Sequence, residues 1–366
     1  MSQREIARKA GVSVSAVSLA LRNHPKISEA KRLEIQKIAR EMGYRNDPVI
    51  TQLMEHLRTV RPKREYSRLA ILIPDLDEKN LKQSFVSRII VGVQEQAAEV
   101  GFGLERFFLE TLDTSPNRLR RILLTRGIKG IVVAPLTGGP GKLKFDFSGF
   151  CAATSGYSLV DPILHRSCPN YLQMLDEILE SVLARGYRRI GLVMHYTEGG
   201  IGHKLFSSAY LFYQAHIPKS ERIPILPKVH INQSKVSQWI AKYRPEAVIG
   251  PGYLLPILEK IGLKVPDDLG FASLDVFYPP EGVAGADHRY RQVGRETVKL
   301  VLSQMNLNMT GLPKLPKVVL VDSHFRPGFS LLDEFLPPDG SKRRKPPRFR
   351  GDQPLRAETG LTERTI

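Results

Sequence analysis

Apolar positions recur at helical spacing in three short stretches over the first 48 residues, and each stretch is closed by turn residues. Gly11 ends the first stretch and Gly43 ends the third. Ser13 and Ser28 stand where a hydroxyl oxygen can accept a hydrogen bond from the first turn of the following helix. The pattern predicts an all-α domain of three helices over residues 1–48.

From Leu69 onward, short apolar runs alternate with amphipathic runs of helical length. LAILIPD is typical of a buried parallel strand, and FVSRIIVGVQEQAAEV, which follows it, is typical of a helix. The same alternation continues along the chain and predicts two doubly wound α/β sheets over residues 67–336. Residues 49–66 are a basic linker interrupted by proline. Residues 337–366 are rich in proline, basic and poor in large apolar residues, which predicts a disordered tail.

The net charge of +17 is concentrated towards the two ends of the chain. Residues 1–66 hold 14 basic and 7 acidic side chains, and residues 337–366 hold 8 and 4. The much longer middle, 67–336, holds 32 and 26. This distribution favours contact with nucleic acid by a terminal domain. For the tail, a dispensable segment and an auxiliary non-specific DNA contact both remain open.

Several classes of protein and site are disfavoured by what the sequence contains. Cys151 and Cys168 allow one disulfide but not a secreted disulfide scaffold, so a reducing cytoplasm is expected. We expect no metal site, since the cysteines and histidines do not cluster at ligand spacing. The first residues lack the apolar core of a signal peptide, and no apolar run is long enough to span a membrane.

An enzyme is also disfavoured, and we expect no cofactor. The segment GGPGK, residues 138–142, resembles a phosphate-binding loop in composition only. Such a loop requires Ser or Thr after its lysine, whereas Leu143 follows Lys142 here. We interpret GGPGK as a surface turn.

Residues 4–23, REIARKAGVSVSAVSLALRN, have the spacing of a helix-turn-helix. The small side chains of Ala7 and Ala10 allow two helices to approach closely, and Val12, Val17 and Leu21 are placed to bury between them. The start of the second helix is then free to enter the major groove of DNA. Its backbone N–H groups and positive dipole end favour phosphate. The residues themselves leave a DNA-binding domain and a helix bundle for protein contacts both open.

The segment IARKAGVSVSAVSLALRNHPKISEAKRLEIQKIAREMGY resembles, without a gap, the DNA-binding headpiece of the lactose-repressor (LacI/GalR) family of bacterial transcription regulators. LARGYRRIGLV, RPEAVIG, VPDDLGFASLD and LPKVVLVDSHF follow in the order of that family's effector domain, so the resemblance covers about residues 3–335. It implies a two-lobed α/β effector domain of the periplasmic-binding-protein type. It also implies a homodimer that binds a two-fold operator in double-stranded DNA and responds to a small molecule, mostly a sugar or a nucleobase.

The function implied by the resemblance is therefore that of a ligand-responsive regulator, most often a repressor. A free sugar-binding protein of the periplasmic type is the alternative with the same two-lobed fold. The helix-turn-helix and the missing signal peptide speak against that alternative.

The resemblance also implies roles for residues of the second helix and of the linker. By this resemblance, the positions that read bases are Val14, Ser15 and Leu19. The positions that contact phosphates or the groove edge are Ser13, Ser18 and Arg22. Leu53 takes the position of the side chain that wedges into the minor groove. A leucine cannot make a bidentate contact to guanine, so contact with thymine methyl groups or readout of DNA shape is expected at Leu19. For each of these positions a solvated face, or simple packing in a linker helix, remains the alternative.

The family fold implies a first lobe of about 67–167 plus 289–317 and a second lobe of about 168–288 plus 318–335, with a ligand cleft at the carboxyl ends of their strands. Candidate effector-binding residues are Ser84, Phe85, His165, Lys204, Tyr253, Asp275 and His288. His288 stands where the family often carries Gln, and Lys204 stands near a family Arg. A carboxylate such as Asp275 can accept hydrogen bonds from two sugar hydroxyls. Loop capping by Asp275, a structural role for His288 and ordinary packing of the aromatic residues remain open.

Overall fold

The structure is a computed structural model that describes residues 3–21, 24–43, 67–112, 114–194, 200–226 and 231–336. The predictions for Arg22, Leu53, the linker 49–66 and the tail 337–366 lie outside these residues. Among the described helices, none combines the length and the apolar character needed to cross a membrane.

The N-terminal domain consists of α1 (Gln3–Ala10), α2 (Val14–Leu21) and α3 (Glu29–Glu41), as the sequence predicts. Its buried apolar side chains come from all three helices: Ile6, Ala7, Ala10, Val17, Ala20, Ile35 and Ala39. One local prediction is wrong. Ser28 occupies the position before α3, but its hydroxyl makes no capping hydrogen bond to that helix. The start of α3 therefore gains nothing from the side chain that the sequence assigned to it.

Two compact units make up the rest of the chain. Beyond the N-terminal domain, unit 1 contains the residues up to Asn170 together with Arg289–Val321, and unit 2 contains Tyr171–His288 and the residues that follow Val321. Both units are built on a largely parallel sheet, which confirms the predicted α/β architecture.

The elements of unit 1, in chain order, are β1 (Arg68–Ile73), α4 (Glu78–Leu81), α5 (Val86–Glu99), β2 (Gly103–Phe108), α6 (Pro116–Thr125), β3 (Gly130–Val133), β4 (Gly141–Lys142), β5 (Cys151–Ser155), β6 (Leu159–Asp161), β7 (His165–Pro169), α11 (Tyr290–Leu307) and β12 (Val318–Val321). The six-stranded sheet has the order β12-β7-β5-β3-β1-β2 and is parallel throughout. Helices α5 and α11 cover one face of it and α6 covers the other. The GGPGK segment ends in β4, which pairs with β6 in a separate ribbon.

The elements of unit 2 are α7 (Tyr171–Ala184), β8 (Ile190–Leu192), α8 (Ile201–Ala215), α9 (Gln233–Tyr243), β9 (Ala247–Gly250), α10 (Leu255–Lys260), β10 (Gly270–Ser273), β11 (Gly285–Asp287) and β13 (His324–Arg326). The sheet order is β13-β11-β10-β9-β8, and only β13 is antiparallel to its neighbour. Helices α7 and α8 pack on one face, and α9 and α10 pack on the other.

Two predicted lobe boundaries are wrong, by three and four residues, because unit 1 extends to Asn170 and to Val321. The sequence places residues 318–321 in the second lobe, whereas they form β12 at the edge of the unit 1 sheet. Two backbone hydrogen bonds fix this strand to β7: Arg166 donates to the Lys317 carbonyl oxygen at 2.9 Å, and Asn170 donates to that of Val321 at 2.8 Å. Cys168, also assigned to the second lobe, lies in β7. After β12, the chain returns to the unit 2 sheet at β13.

Candidate functional site

The turn between α1 and α2 exposes the start of α2. The Val12 N–H donates to the Ala7 carbonyl oxygen at 3.0 Å, and Gly11 has a φ of 65°, in the left-handed region that favours glycine. The hydroxyl oxygen of Ser13 then accepts a hydrogen bond from Ala16 N–H at 3.1 Å. The first turn of α2 contains no acidic residue. Its N–H groups and dipole therefore present positive potential that no local carboxylate offsets.

The residues predicted to face DNA divide into two groups along α2. Ser13, Val14 and Ser15, at its start, are exposed, and the Val14 side chain is 41% accessible. Ser18 and Leu19 are half-buried. The accessible surface is thus two hydroxyl groups and one small apolar side chain at a helix N-terminus. That surface can contact phosphates and thymine methyl groups.

Ser13→Ala is expected to destabilise the N-terminal domain by about 1 kcal/mol, because it removes the capping acceptor of α2. Ser28→Ala is the matched control, since it deletes the same hydroxyl before α3, where no capping bond is made. Hydrogen exchange of the α1–α3 amides in the full chain measures both. Equal effects of the two substitutions would contradict the capping assignment.

In unit 1, Ser84 and Phe85 lie beyond the carboxyl end of β1, as predicted, with the short helix α4 between. Ser84 is buried, and its hydroxyl oxygen accepts a hydrogen bond from Val86 N–H at 3.3 Å. The ring of Phe85 packs against the ring of Tyr290, with centroids 4.8 Å apart. Tyr290 is the first residue of α11 and was not predicted. The feature of the sequence that could have singled out Tyr290 is its position, directly after the point where the chain returns to unit 1.

Asp75 is a second residue at this edge that the sequence did not single out. It follows β1, and its Oδ2 accepts hydrogen bonds from Thr137 N–H at 2.6 Å and from Gly138 N–H at 3.0 Å. The loops after β1 and β3 are therefore tied together by one carboxylate. The first N–H group of GGPGK, that of Gly138, thus donates to a side chain of the same unit, which fits a structural turn.

The structure does not place His165 with the other unit 1 candidates. The strand register sets Ile71 beside Val132, Val132 beside Ala153, and Ala153 beside His165, so His165 is level with the middle of β1. Its ring is buried, with 5% accessibility, and its Nδ1 accepts a hydrogen bond from Lys317 N–H at 2.9 Å. Burial, and secondarily the charge of Lys317, lower the pKa of His165. A neutral structural histidine replaces the predicted ligand contact.

In unit 2, four candidates follow four adjacent strands at the same sheet edge. Register pairs Leu192 with Ile249, Gly250 with Ser273, and Ser273 with Gly285, so the carboxyl ends of β8 to β10 lie side by side and that of β11 extends two residues further at the same edge. The residues beyond these ends are Lys204 in the first turn of α8, Tyr253 after β9, Asp275 after β10 and His288 after β11. One cation, one phenol, one carboxylate and one imidazole therefore share an edge.

The contacts of Asp275 and His288 fix the loops at this edge. Asp275 Oδ1 accepts a hydrogen bond from Phe277 N–H at 2.9 Å, which is the loop-capping role that the sequence left open. His288 is 6% accessible, and its Nε2 donates to the Leu274 carbonyl oxygen at 2.7 Å. The His288 ring meets the edge of Tyr171, with centroids 5.8 Å apart. Both side chains are thus held in place before any ligand arrives.

Lys204 and Tyr253 are the accessible members of the group. Lys204 is exposed, and Tyr253 is 44% accessible. Partial burial raises the pKa of Tyr253 to about 12, so its hydroxyl remains protonated at neutral pH and can donate a hydrogen bond.

The two cysteines are buried free thiols, so the disulfide that the sequence allowed is not formed. Burial raises the pKa of Cys151 to about 11 and that of Cys168 to about 12. Both are therefore protonated and unreactive at neutral pH. Among the described residues, no group of His, Cys, Asp and Glu could hold a metal ion.

Residues 3–47 match the family model described as bacterial regulatory proteins, lacI family. Over the longer chain, the protein is similar to the HTH-type transcriptional repressor CytR of Escherichia coli (strain K12), with 26% identity over 334 residues that cover 83% of this chain and 89% of that protein.

Solved structures share the fold. The transcription regulator CcpA of Lactococcus lactis aligns with a TM-score of 0.52 and 11% identity, over 73% of this chain and all of that chain. The LacI family regulator CCPA of Weissella paramesenteroides, solved with bound glucose, aligns with a TM-score of 0.50 and 14% identity, over 72% and 98%.

Proposed function

We propose that the chain is a member of the LacI family and a transcription regulator controlled by a small-molecule effector, since its N-terminal domain matches that family's model and the longer chain is similar to a transcriptional repressor. The N-terminal domain binds double-stranded operator DNA, with α2 as the recognition helix. The observation that carries this proposal is the first turn of α2, which is exposed and capped by Ser13. It presents accessible hydroxyl groups at a helix N-terminus that contains no acidic side chain.

A homodimer on a two-fold operator follows from the size of the recognition unit. One α2 helix reads one half-site, and two copies related by a two-fold axis read a palindromic site. The relative from E. coli carries the name of a repressor, which supports repression as the mode of action. The relatives found by sequence are regulators and not enzymes, so regulation is favoured over catalysis.

The effector site is proposed at the carboxyl ends of β8 to β11, with Lys204, Tyr253, Asp275 and His288 as the polar groups that meet the ligand. Together they offer hydrogen-bond donors and one charged acceptor, a set that suits a polyhydroxylated ligand such as a sugar. Glucose in the Weissella relative of the same fold agrees with that class. The roles predicted for Ser84 and Phe85 of unit 1 remain predictions.

The operator proposal is tested by selection of genomic fragments bound by the full chain. We expect enrichment of short palindromic sites near a small set of genes, and the products of those genes would suggest candidate effectors. Recovery of fragments without a common motif would contradict sequence-specific regulation.

The effector proposal is tested by thermal shift with sugars, sugar acids and nucleobases, followed by Asp275→Asn. This substitution removes the charge but keeps an oxygen that can accept from Phe277 N–H. We expect it to weaken binding of the stabilising ligand by about 10- to 100-fold, the size of a lost charge-assisted hydrogen bond. Asp267→Asn is the control, because Asp267 is exposed before the opposite end of β10. An unchanged ligand affinity in Asp275→Asn would remove this carboxylate from the site.

A further inference from the structure

The two units carry opposite net charge. Counted over the sequence, residues 67–170 and 289–321 of unit 1 hold 19 basic and 11 acidic side chains, a net charge of +8. Residues 171–288 and 322–336 of unit 2 hold 13 basic and 15 acidic side chains, a net charge of −2. The net positive charge of the effector domain therefore comes entirely from unit 1, which follows the linker in the sequence.

Much of that charge lies where the strands of the unit 1 sheet begin. We call this surface the strand-start edge and define it by Arg68, Arg126, Lys129, Lys314 and Lys317. Arg68 begins β1, Arg126 and Lys129 precede β3, and the two later lysines precede β12. All five side chains are exposed.

Backbone hydrogen bonds show that the segment before β12 lies at this edge. The Gly311 N–H donates to the Phe150 carbonyl oxygen at 2.8 Å, directly before β5 begins. Cys151 N–H donates to the Lys129 carbonyl oxygen, also at 2.8 Å. The segments that carry Lys129 and Lys314 are therefore adjacent to the same strand.

The cations of the strand-start edge exceed the negative groups that meet them. Arg68 and Arg126 share the carboxylate of Glu105. Within the described part of the chain, no ion pair holds Lys129, Lys314 or Lys317. Helices α5, α6 and α11 also end at this edge, and their dipoles contribute about −0.5 charge each. Five cations, one carboxylate and three helix ends together give this edge a net charge of about +2.5.

The chain enters unit 1 at the strand-start edge. Ser67, the first described residue after the linker, accepts a hydrogen bond at its carbonyl oxygen from Gly103 N–H at 3.1 Å, at the start of β2. Along the chain, residues 44–66 alone separate the N-terminal domain from this edge, so DNA bound by α2 is tethered to the edge within the reach of that segment. A surplus of exposed cations there is placed to meet the phosphates of the same duplex.

We propose that the strand-start edge of unit 1 is a second DNA-contacting surface, which binds backbone phosphates of the duplex flanking the operator half-site. The inference rests on the proposed function, since α2 must first bring the duplex to the chain. Lysine contacts to phosphate carry no sequence information, so this surface adds affinity and salt dependence but no specificity.

The test compares the full chain with the triple variant Lys129→Gln, Lys314→Gln, Lys317→Gln. The control is Lys219→Gln, Lys260→Gln, Lys264→Gln, which removes three exposed lysines from unit 2. Binding is measured over a range of KCl on the selected operator, on the same operator with about ten added base pairs on each side, and on a random duplex of the longer length.

We expect the unaltered chain and the control to bind the longer operator more tightly than the short one, with a steeper salt dependence. The triple variant is expected to lose that difference, and its log–log salt slope on long duplexes to decrease by up to about 2.7 per chain, about 0.9 for each phosphate contact. Retention of the full difference by the triple variant would overturn the proposal.

Other outcomes separate this proposal from its rivals. A lower unfolding temperature of the triple variant with unchanged DNA binding would mean that the three lysines only neutralise the negative ends of the helix dipoles. A change in sedimentation with unchanged DNA binding would mean a protein interface, which the exposed Leu312 and Leu315 of the same segment would then line. A random duplex bound as tightly as any operator would refute sequence-specific regulation, while the slope difference between the variants would still decide the role of the edge.

Discussion

Ser15→Glu is expected to lower operator affinity by at least about 100-fold while the N-terminal domain stays folded. Ser15 is exposed in the first turn of α2, which has no acidic residue, and a carboxylate there interacts favourably with the helix dipole. The same carboxylate would face DNA phosphates in the complex. Like charges brought together at an interface cost several kcal/mol, and about 2.7 kcal/mol corresponds to 100-fold.

The measurement is fluorescence anisotropy of a labelled operator duplex, with hydrogen exchange of the α2 amides as the test of folding. Leu33→Glu is the control, because Leu33 is 54% exposed on α3 and the substitution adds the same charge to the same domain. An affinity loss of equal size in Leu33→Glu would indicate a general charge effect. Unchanged affinity in Ser15→Glu would exclude the start of α2 from the interface.

Gly294→Ala is expected to destabilise unit 1 by at least about 3 kcal/mol. Helices α5 and α11 cross where Gly92 and Gly294 bring the two backbones together. A Cβ on Gly294 would overlap the Ile89 carbonyl oxygen, and one on Gly92 would overlap that of Arg291. Backbone atoms cannot turn aside as a side chain can, so the helices must separate and lose packing.

Gly202→Ala is the matched control, because the atoms nearest to a Cβ in that helical position belong to the Tyr171 ring, at 3.5 Å, an ordinary van der Waals contact. It is expected to be neutral or stabilising by up to about 1 kcal/mol, from helix propensity. Urea unfolding followed by far-UV circular dichroism measures both variants. The fluorescence of Trp239, the single tryptophan, reports unit 2 and is expected to move less in Gly294→Ala. A Gly294→Ala midpoint equal to that of the unaltered chain would contradict the close crossing.

The sequence predicted well those features that depend on neighbouring residues. Helices α1 and α3 end where Gly11 and Gly43 supply positive φ angles, and the start of α2 is capped by Ser13, as expected. The alternation of apolar strands and amphipathic helices was sufficient to predict two parallel sheets. Each of these follows from backbone conformation or periodicity within about twenty residues.

The predictions that failed depend on which distant strand is the neighbour. The run Val318–Val321 reads as a strand in either lobe, and only its pairing with β7 assigns it to unit 1. His165 was assigned to a ligand site from its place in the chain, but strand register sets it level with Ile71. Register is set by contacts between distant segments, which a single sequence does not display.

The site in unit 2 lies between these two cases. The strand ends of β9 and β10 were predictable from their apolar runs, so Tyr253 and Asp275 were expected just beyond strands, whereas the family resemblance alone singled out His288. That they follow neighbouring strands is known only from the pairing of β9 with β10 and of β10 with β11. Their action on a common ligand remains a prediction.

The central claim is that two copies of the chain read a two-fold operator. Its most direct measurement is the affinity and stoichiometry of the full chain on a selected palindromic duplex and on the same duplex with one half-site scrambled, by anisotropy and sedimentation. We predict two chains per intact duplex and an affinity loss of at least about 100-fold on scrambling, since base contacts of one half-site, at about 1–3 kcal/mol each, are lost together. One chain per duplex, bound equally well to both DNAs, would contradict the account.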